Sequence, residues 1–169
     1  RFTDKGSWYY EIVAPGFMYN MTDIAAAIGL EQLRRADELW AGRRRVAARY
    51  LEALAEVAEI ELPAEAADRR HSWHLFPVRL RLDRLRIDRA GFIEEMKARG
   101  VGASVHWMPL HMQPYYVSAY GFAPDAFPVA AGLWPRLVSL PIFPAMSDAE
   151  IDRVIEVVRE IAHLHRRVP

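Results

Sequence analysis

Cysteine is absent from all 169 residues, which excludes disulfides and thiolate nucleophiles and leaves any metal site to histidines and carboxylates. Lysine is nearly absent too: Lys5 and Lys97 are the only two. No run of about 18 apolar residues occurs, and no membrane span is expected. An excess of one charge is also missing, because 22 basic residues meet 22 acidic ones. With no global field to attract polyanions, neither nucleic acid nor a membrane is an expected partner. The motifs G-x-G-x-x-G, the P-loop, G-x-S-x-G and H-E-x-x-H do not occur, which removes the common nucleotide, acyl-transfer and zinc signatures.

What is present is a chain of one-domain length and 52% hydrophobic content, enough to bury roughly two thirds of its unfolded surface without staples. It starts at Arg1 with no leader pattern and reads as a piece of a longer, cytoplasmic protein. Trp8 to Val13 is a β-favouring run closed by Pro15-Gly16, an arm arriving from elsewhere. From Thr22 to about Ala58 the apolar residues recur at helical spacing. Thr22 or Asp23 is placed to cap this long helix, and Gly42 is a point where it could bend. The small residues Ala25 to Ala27 and Gly29 let another backbone come close, either as internal packing or as a subunit contact beside a ligand. Arg43-Arg44-Arg45 fan out around the helix and read as a solvated face.

Phe76, Val78, Leu80 and Leu82 alternate with polar residues and proline, the period of a strand with one buried face. Asp88 caps a helix carrying Phe92, Ile93 and Met96, stopped by Arg99-Gly100. Val101 to Met108 reads as a second strand. After Pro109 come aromatic loops and short helices, with Asp125 and Pro128 placed to start one that ends near Trp134. Leu137 to Leu140 is a short apolar strand. Ser147 to Glu150 is a capping box for a helix striped by Ile151, Val154, Ile155, Val158 and Ile161. The sum is an α/β chain, a long helix followed by a small domain of helices packed on a small sheet. The expected organisation is an arm over 1–21, a connecting helix and loop over 22–68, and a small C-terminal domain over 69–169.

Histidine supplies the candidate chemistry. His163 and His165 sit in a basic tail and suit a solvated helix end. Trp73 and His74 open the first strand, while His106 and Trp107 close the second, with His111 just beyond. If those strands are neighbours, imidazoles and indoles gather at one edge of the sheet. Each histidine there suits a satisfied structural role or a wall that binds a hydroxylated or phosphorylated ligand. A metal site is not expected, because no carboxylate-rich cluster completes a ligand set.

Four blocks in order carry a resemblance that covers nearly the whole chain. Gly16-Phe17-Met18-Tyr19-Asn20-Met21-Thr22-Asp23-Ile24, running into Ala25 through Leu33, resembles the G-Y-N-Y-R-M-T-D-I-x-A-A-I-G-L-x-Q-L signature of the sugar aminotransferases named after DegT, DnrJ, EryC1 and StrS. His71-Ser72-Trp73-His74-Leu75-Phe76-Pro77-Val78 is similar to that family's h-s-W-H-l-f-p-i block. Gly100 to His106, with Pro109-Leu110-His111 and Tyr115-Tyr116, resembles its G-I-x-x-x-V-H-Y-x-P-L-H…Y-Y block. Ser139 to Asp148 resembles its s-L-P-l-f-p-x-M-t-d block.

The resemblance implies the C-terminal part of a fold-type I enzyme dependent on pyridoxal phosphate. Such an enzyme works as a homodimer and moves an amino group from glutamate to a keto group of a nucleotide-linked sugar. It implies substrate contacts at Trp73, His74, His106 and His111, and a cofactor-phosphate contact at Asn20. In the common block the asparagine stands at the third position, where this chain has Met18, whose thioether cannot donate to a phosphate. Asn20 instead matches the G-Y-K-Y-N version of the enzymes that aminate UDP-4-keto-pentose for lipid A modification. Lys97 falls on an exposed helix face beside Glu94 and Glu95, and Lys5 in a terminus, so neither suits a Schiff base. The chain alone is therefore expected to be inactive, the catalytic lysine lying upstream. The alternative is a non-catalytic sugar-nucleotide-binding or dimerisation domain.

Overall fold

The computed structural model describes residues 11–167, which fall into two compact units divided after Ala36. In the first, α1 (Asp23–Arg34) begins where the Thr22 hydroxyl accepts from the Ala25 amide at 3.2 Å, satisfying one orphan donor of the first turn. Ile24, Ile28 and Leu33 are exposed. Nothing lies within 4 Å of where a Cβ on Gly29 would stand, so internal packing does not account for that glycine. Of the expected arm strand, Trp8 to Tyr10 lies outside the described residues, and Glu11 to Val13 is not a strand.

The long helix is two helices. α1 ends at Arg35, whose amide donates to the Gln32 carbonyl in a tightened last turn, and α2 (Ala36–Ala53) follows. Gly42 sits inside α2 without breaking it. A Cβ there would stand 2.6 Å from the Pro144 carbonyl oxygen and 2.9 Å from its Cα, so the glycine lets α2 approach the loop before the last helix. Of the arginines after it, Arg44 and Arg45 are exposed as expected and Arg43 is half-buried, and the exposed pair also makes contacts. Arg45 donates to Asp148 at 2.5 Å and to the Met146 carbonyl, and Arg44 lies over the Trp40 ring.

The second unit is built on three antiparallel strands in the order β1 (Ile60–Glu61), β2 (Phe76–Leu80), β3 (Leu137–Leu140). Ile60 pairs with Leu80 and Glu61 with Arg79, while Phe76 to Arg79 pair with Leu140 to Leu137. Along β2 burial alternates as its sequence period requires, with Phe76, Val78 and Leu80 fully buried. Pro77 is tolerated because it lies beyond the end of the two-residue β1, where no ladder bond needs its missing N–H. Leu82 falls past the strand.

The inner sheet face closes on α2 (Val46, Ala47 and Tyr50), on α3 (Arg89–Ala98, with Phe92 and Met96) and on α6 (Asp148–Leu164), all contributing to one core. The Asp88 cap, the positive φ of Gly100 and the Ser147–Glu150 capping box stand as their sequence patterns require. The short helices α4 (Pro114–Tyr120) and α5 (Pro128–Leu133) each begin on a proline. Phe127, not Asp125, occupies the N-cap position of α5. This is the α/β arrangement expected, helices packed on a small sheet. His165 departs from the expected solvated tail, since its side chain is only 20% exposed and lies 3.8 Å from Glu95.

One expected strand is missing. Val101 to Met108 pairs with the β3 backbone only through Ser104, which exchanges both backbone hydrogen bonds with Ser139 at 3.1 and 2.7 Å. On its N-terminal side the next pair would set Gly102 opposite Pro141, which has no amide to give; on its C-terminal side His106 makes no backbone pair with Leu137, and the segment leaves the sheet.

Gly42→Ala tests the close approach. Alanine is the better helix former by about 1 kcal/mol, yet the clash with Pro144 should make the variant less stable by about 1–3 kcal/mol, the usual cost of overpacking. Urea unfolding showing a stabilised variant would contradict the α2–Pro144 contact.

Candidate functional site

Trp73 and His74 are adjacent in sequence and opposite in placement. Trp73 adopts φ +50°, a left-handed conformation uncommon for a bulky residue, and its amide donates to His71 Nδ1 at 2.8 Å. This turn drives the indole into the core, where it is 1% exposed and stacks on Phe76 at 5.6 Å. Burying so large an apolar body offsets the backbone cost. His74 remains outside.

His106 is held from the sheet. Its Nδ1 is 2.9 Å from the Ser139 hydroxyl, and Ser139 is itself 5% exposed and locked by the Ser104 bridge. That hydrogen bond fixes the ring and leaves Nε2 as the free polar atom. His74 and His106 line one cavity of about 270 Å³ together with Gly102, Ser104, Ser139 and Pro141. Two imidazoles and a hydroxyl set hydrogen-bonding groups, suited to hydroxyl and phosphoryl oxygens, into a hollow whose remaining wall is largely apolar, with Leu75, Leu140 and Ile142. Trp107 packs edge-on against His106 at 4.5 Å and is 75% exposed.

The remaining candidates lie elsewhere. His111 is 7% exposed, with Nε2 3.0 Å from the Pro124 carbonyl and its ring 4.7 Å from Phe127, so it ties the aromatic excursion together. Asn20 is exposed in the first unit. Ser139 is the site residue the sequence reading missed, although a lone hydroxyl inside Leu-Val-Ser-Leu was a signal, since a buried hydroxyl needs a partner.

A second hollow, about 340 Å³, shares Gly102 and Pro141 but is walled largely by Val101, Phe143, Met146 and Val154. It carries no imidazole, so the smaller cavity is the better chemical candidate. Tyr50 supports both from behind: its hydroxyl donates to the Pro141 carbonyl at 2.9 Å, and burial pushes its phenol well above the ordinary tyrosine range. Among the described residues no group of three or more potential metal ligands occurs, and no helix is long and apolar enough to cross a membrane.

A pyridoxal cofactor would need an amine held in a pocket. The lysine among the described residues, Lys97, is exposed near the end of α3, which does not fit, and Lys5 lies outside the described residues.

Comparison with known proteins gives a consistent result. Residues 2–159 match the DegT/DnrJ/EryC1/StrS aminotransferase family. The spore coat polysaccharide biosynthesis protein SpsC of Bacillus subtilis is 39% identical over 95% of this chain and 42% of its own length. DesV of S. venezuelae, solved in complex with a ketimine intermediate, superposes with a TM-score of 0.80 at 30% identity, covering 97% of this chain and 42% of that one. Spr1654 of Streptococcus pneumoniae in its PLP-form gives 0.81 at 31% identity, over 94% and 40%. The chain spans less than half the length of the curated relatives it matches.

The Tyr50 environment carries a pH prediction. Its folded pKa is raised, so the folded chain keeps the proton after the unfolded chain has lost it, and stability falls as pH rises above about 10. Tyr50→Phe should flatten that alkaline fall while costing about 0.5–1.5 kcal/mol at neutral pH through the lost hydrogen bond to Pro141. Equal alkaline slopes for both proteins in urea titrations would contradict the buried phenol.

Proposed function

The chain belongs to the DegT/DnrJ/EryC1/StrS aminotransferase family, and we propose that it is the C-terminal portion of a pyridoxal phosphate-dependent enzyme. The reaction moves an amino group from glutamate to a keto group of a nucleotide-linked sugar, in cell-surface polysaccharide or amino-sugar biosynthesis. Residues 1–21 are then an arm from a large domain, 22–68 the connection, and 69–169 the small domain of a fold-type I enzyme. The large domain holds the cofactor and its lysine, and this chain alone does not turn over. The full-length enzyme is a cytoplasmic homodimer, with the exposed apolar residues and small side chains of α1 at the subunit contact.

The observation that carries this reading is the convergence of His74, His106 and Ser139 on one cavity at the end of the sheet. His106 donates or accepts at a sugar or phosphoryl oxygen, with His74 beside it. Trp73, buried in the core, and His111, in the aromatic excursion, do not line this cavity. Asn20 reaches the cofactor phosphate, and its match to the G-Y-K-Y-N version favours a UDP-linked 4-keto-pentose as the acceptor. The alternative, a binding or dimerisation module without catalysis, would use the same cavity with no upstream lysine.

His106→Ala in the full-length enzyme tests the assignment. Loss of one hydrogen bond to a neutral or charged group should lower kcat/KM for the keto sugar by roughly 3-fold to 100-fold, with the glutamate half-reaction nearly unchanged. A variant that is merely less stable, with no selective effect on sugar turnover, would remove His106 from the substrate site.

A further inference from the structure

The outward face of the sheet carries a second polar centre that the aminotransferase reading does not use. Glu61 on β1 is the register partner of Arg79 on β2, and its Oε2 lies 3.1 Å from the Arg79 guanidinium. Its Oε1 is 3.5 Å from Arg136 and 3.8 Å from Arg81. Arg81 follows Arg79 by two residues and so shares its side of the chain. Arg136 directly precedes Leu137, the β3 partner of Arg79, and is steadied by donating to the Gly132 carbonyl at 3.2 Å. Three cations thus converge on one anion, which leaves two positive charges without a partner.

These are not freely solvated side chains. Arg79 and Arg81 are 39% exposed, Arg136 30% and Glu61 29%. The Arg81 Nε is shielded from solvent and has no hydrogen-bond partner. A buried donor without an acceptor is costly, more so when charged, and a guanidinium carries about five N–H donors against the few lone pairs of one shared carboxylate. The cluster has donors and charge to spare, on strands that hold it in place.

We propose that Arg79, Arg81 and Arg136 form a binding site for a phosphoryl group. A phosphoryl dianion carries a charge of about −1.5 to −2, which matches the excess, and its oxygens suit the planar fork of arginine. Glu61 orients the guanidinium groups and competes with the ligand for them. None of the three arginines lines the cavity of His74 and His106, so the site is separate from the substrate wall.

Calorimetric titration of the full-length protein with inorganic phosphate, and then with pyrophosphate, tests this, with one equivalent of pyridoxal phosphate bound beforehand to fill the cofactor site and the excess removed. Saturable binding is expected. Arg79→Gln/Arg136→Gln should weaken it at least about tenfold, since two charge-assisted contacts are lost. Glu61→Gln should tighten it at least about threefold by removing the competing carboxylate. His106→Ala should leave it unchanged, which keeps this result distinct from the substrate assignment. No saturable binding, or binding that Glu61→Gln fails to tighten, overturns the proposal; should the double variant not fold, Glu61→Gln decides alone.

Discussion

The structure depends on a sheet that has only one face to give to a core. With three short antiparallel strands, the alternation along β2 commits Phe76, Val78 and Leu80 to α2, α3 and α6. The other face receives Pro77, Arg79 and the outward groups of their neighbours. A one-residue slip of β2 would bury Arg79 and expose Phe76, so the register is fixed by burial. The candidate binding groups of the second unit therefore gather on the outward face and at the sheet's end.

Ser139 joins these two sides. It lies in an apolar strand, nearly buried, and spends its backbone on the bridge to Ser104 and its hydroxyl on His106. Pro141, two residues on, ends the pairing and takes the Tyr50 hydrogen bond on its carbonyl. The core helix α2 thereby supports the rim of the cavity through Tyr50 and Pro141, and reaches the same loop through Gly42 against Pro144. A rigid rim is what a hydrogen-bonding wall needs if its donors are to meet a ligand without reorganisation.

Much of this was legible in the residues. The period-2 run at Phe76, the Asp88 cap with Gly100 as its stop, and the Ser147–Glu150 box each encode a local structure whose reward is local, and each stands in the fold. Features decided by tertiary contact were not legible. Gly42 reads as a bend in sequence and proves to be a close approach to Pro144. Val101 to Met108 has strand composition, but it pairs with β3 at Ser104 alone, and on the Gly102 side the missing partner is a proline more than 30 residues away. His106 was a candidate from its neighbours, whereas its partner Ser139 read only as part of a short apolar strand, and the hydrogen bond between them is a tertiary contact. The three arginines around Glu61 look in sequence like the exposed positions of strands and turns, and only the strand register brings them together.

The central claim, that the cavity of His74 and His106 belongs to a pyridoxal phosphate-dependent sugar aminotransferase, is tested most directly by the visible spectrum of the full-length protein. With pyridoxal phosphate it should show a protein-bound absorbance band that glutamate bleaches and a nucleotide-linked keto sugar restores, each in about one equivalent per site. A protein that acquires no such band, or whose band neither glutamate nor any keto sugar changes, would contradict the account.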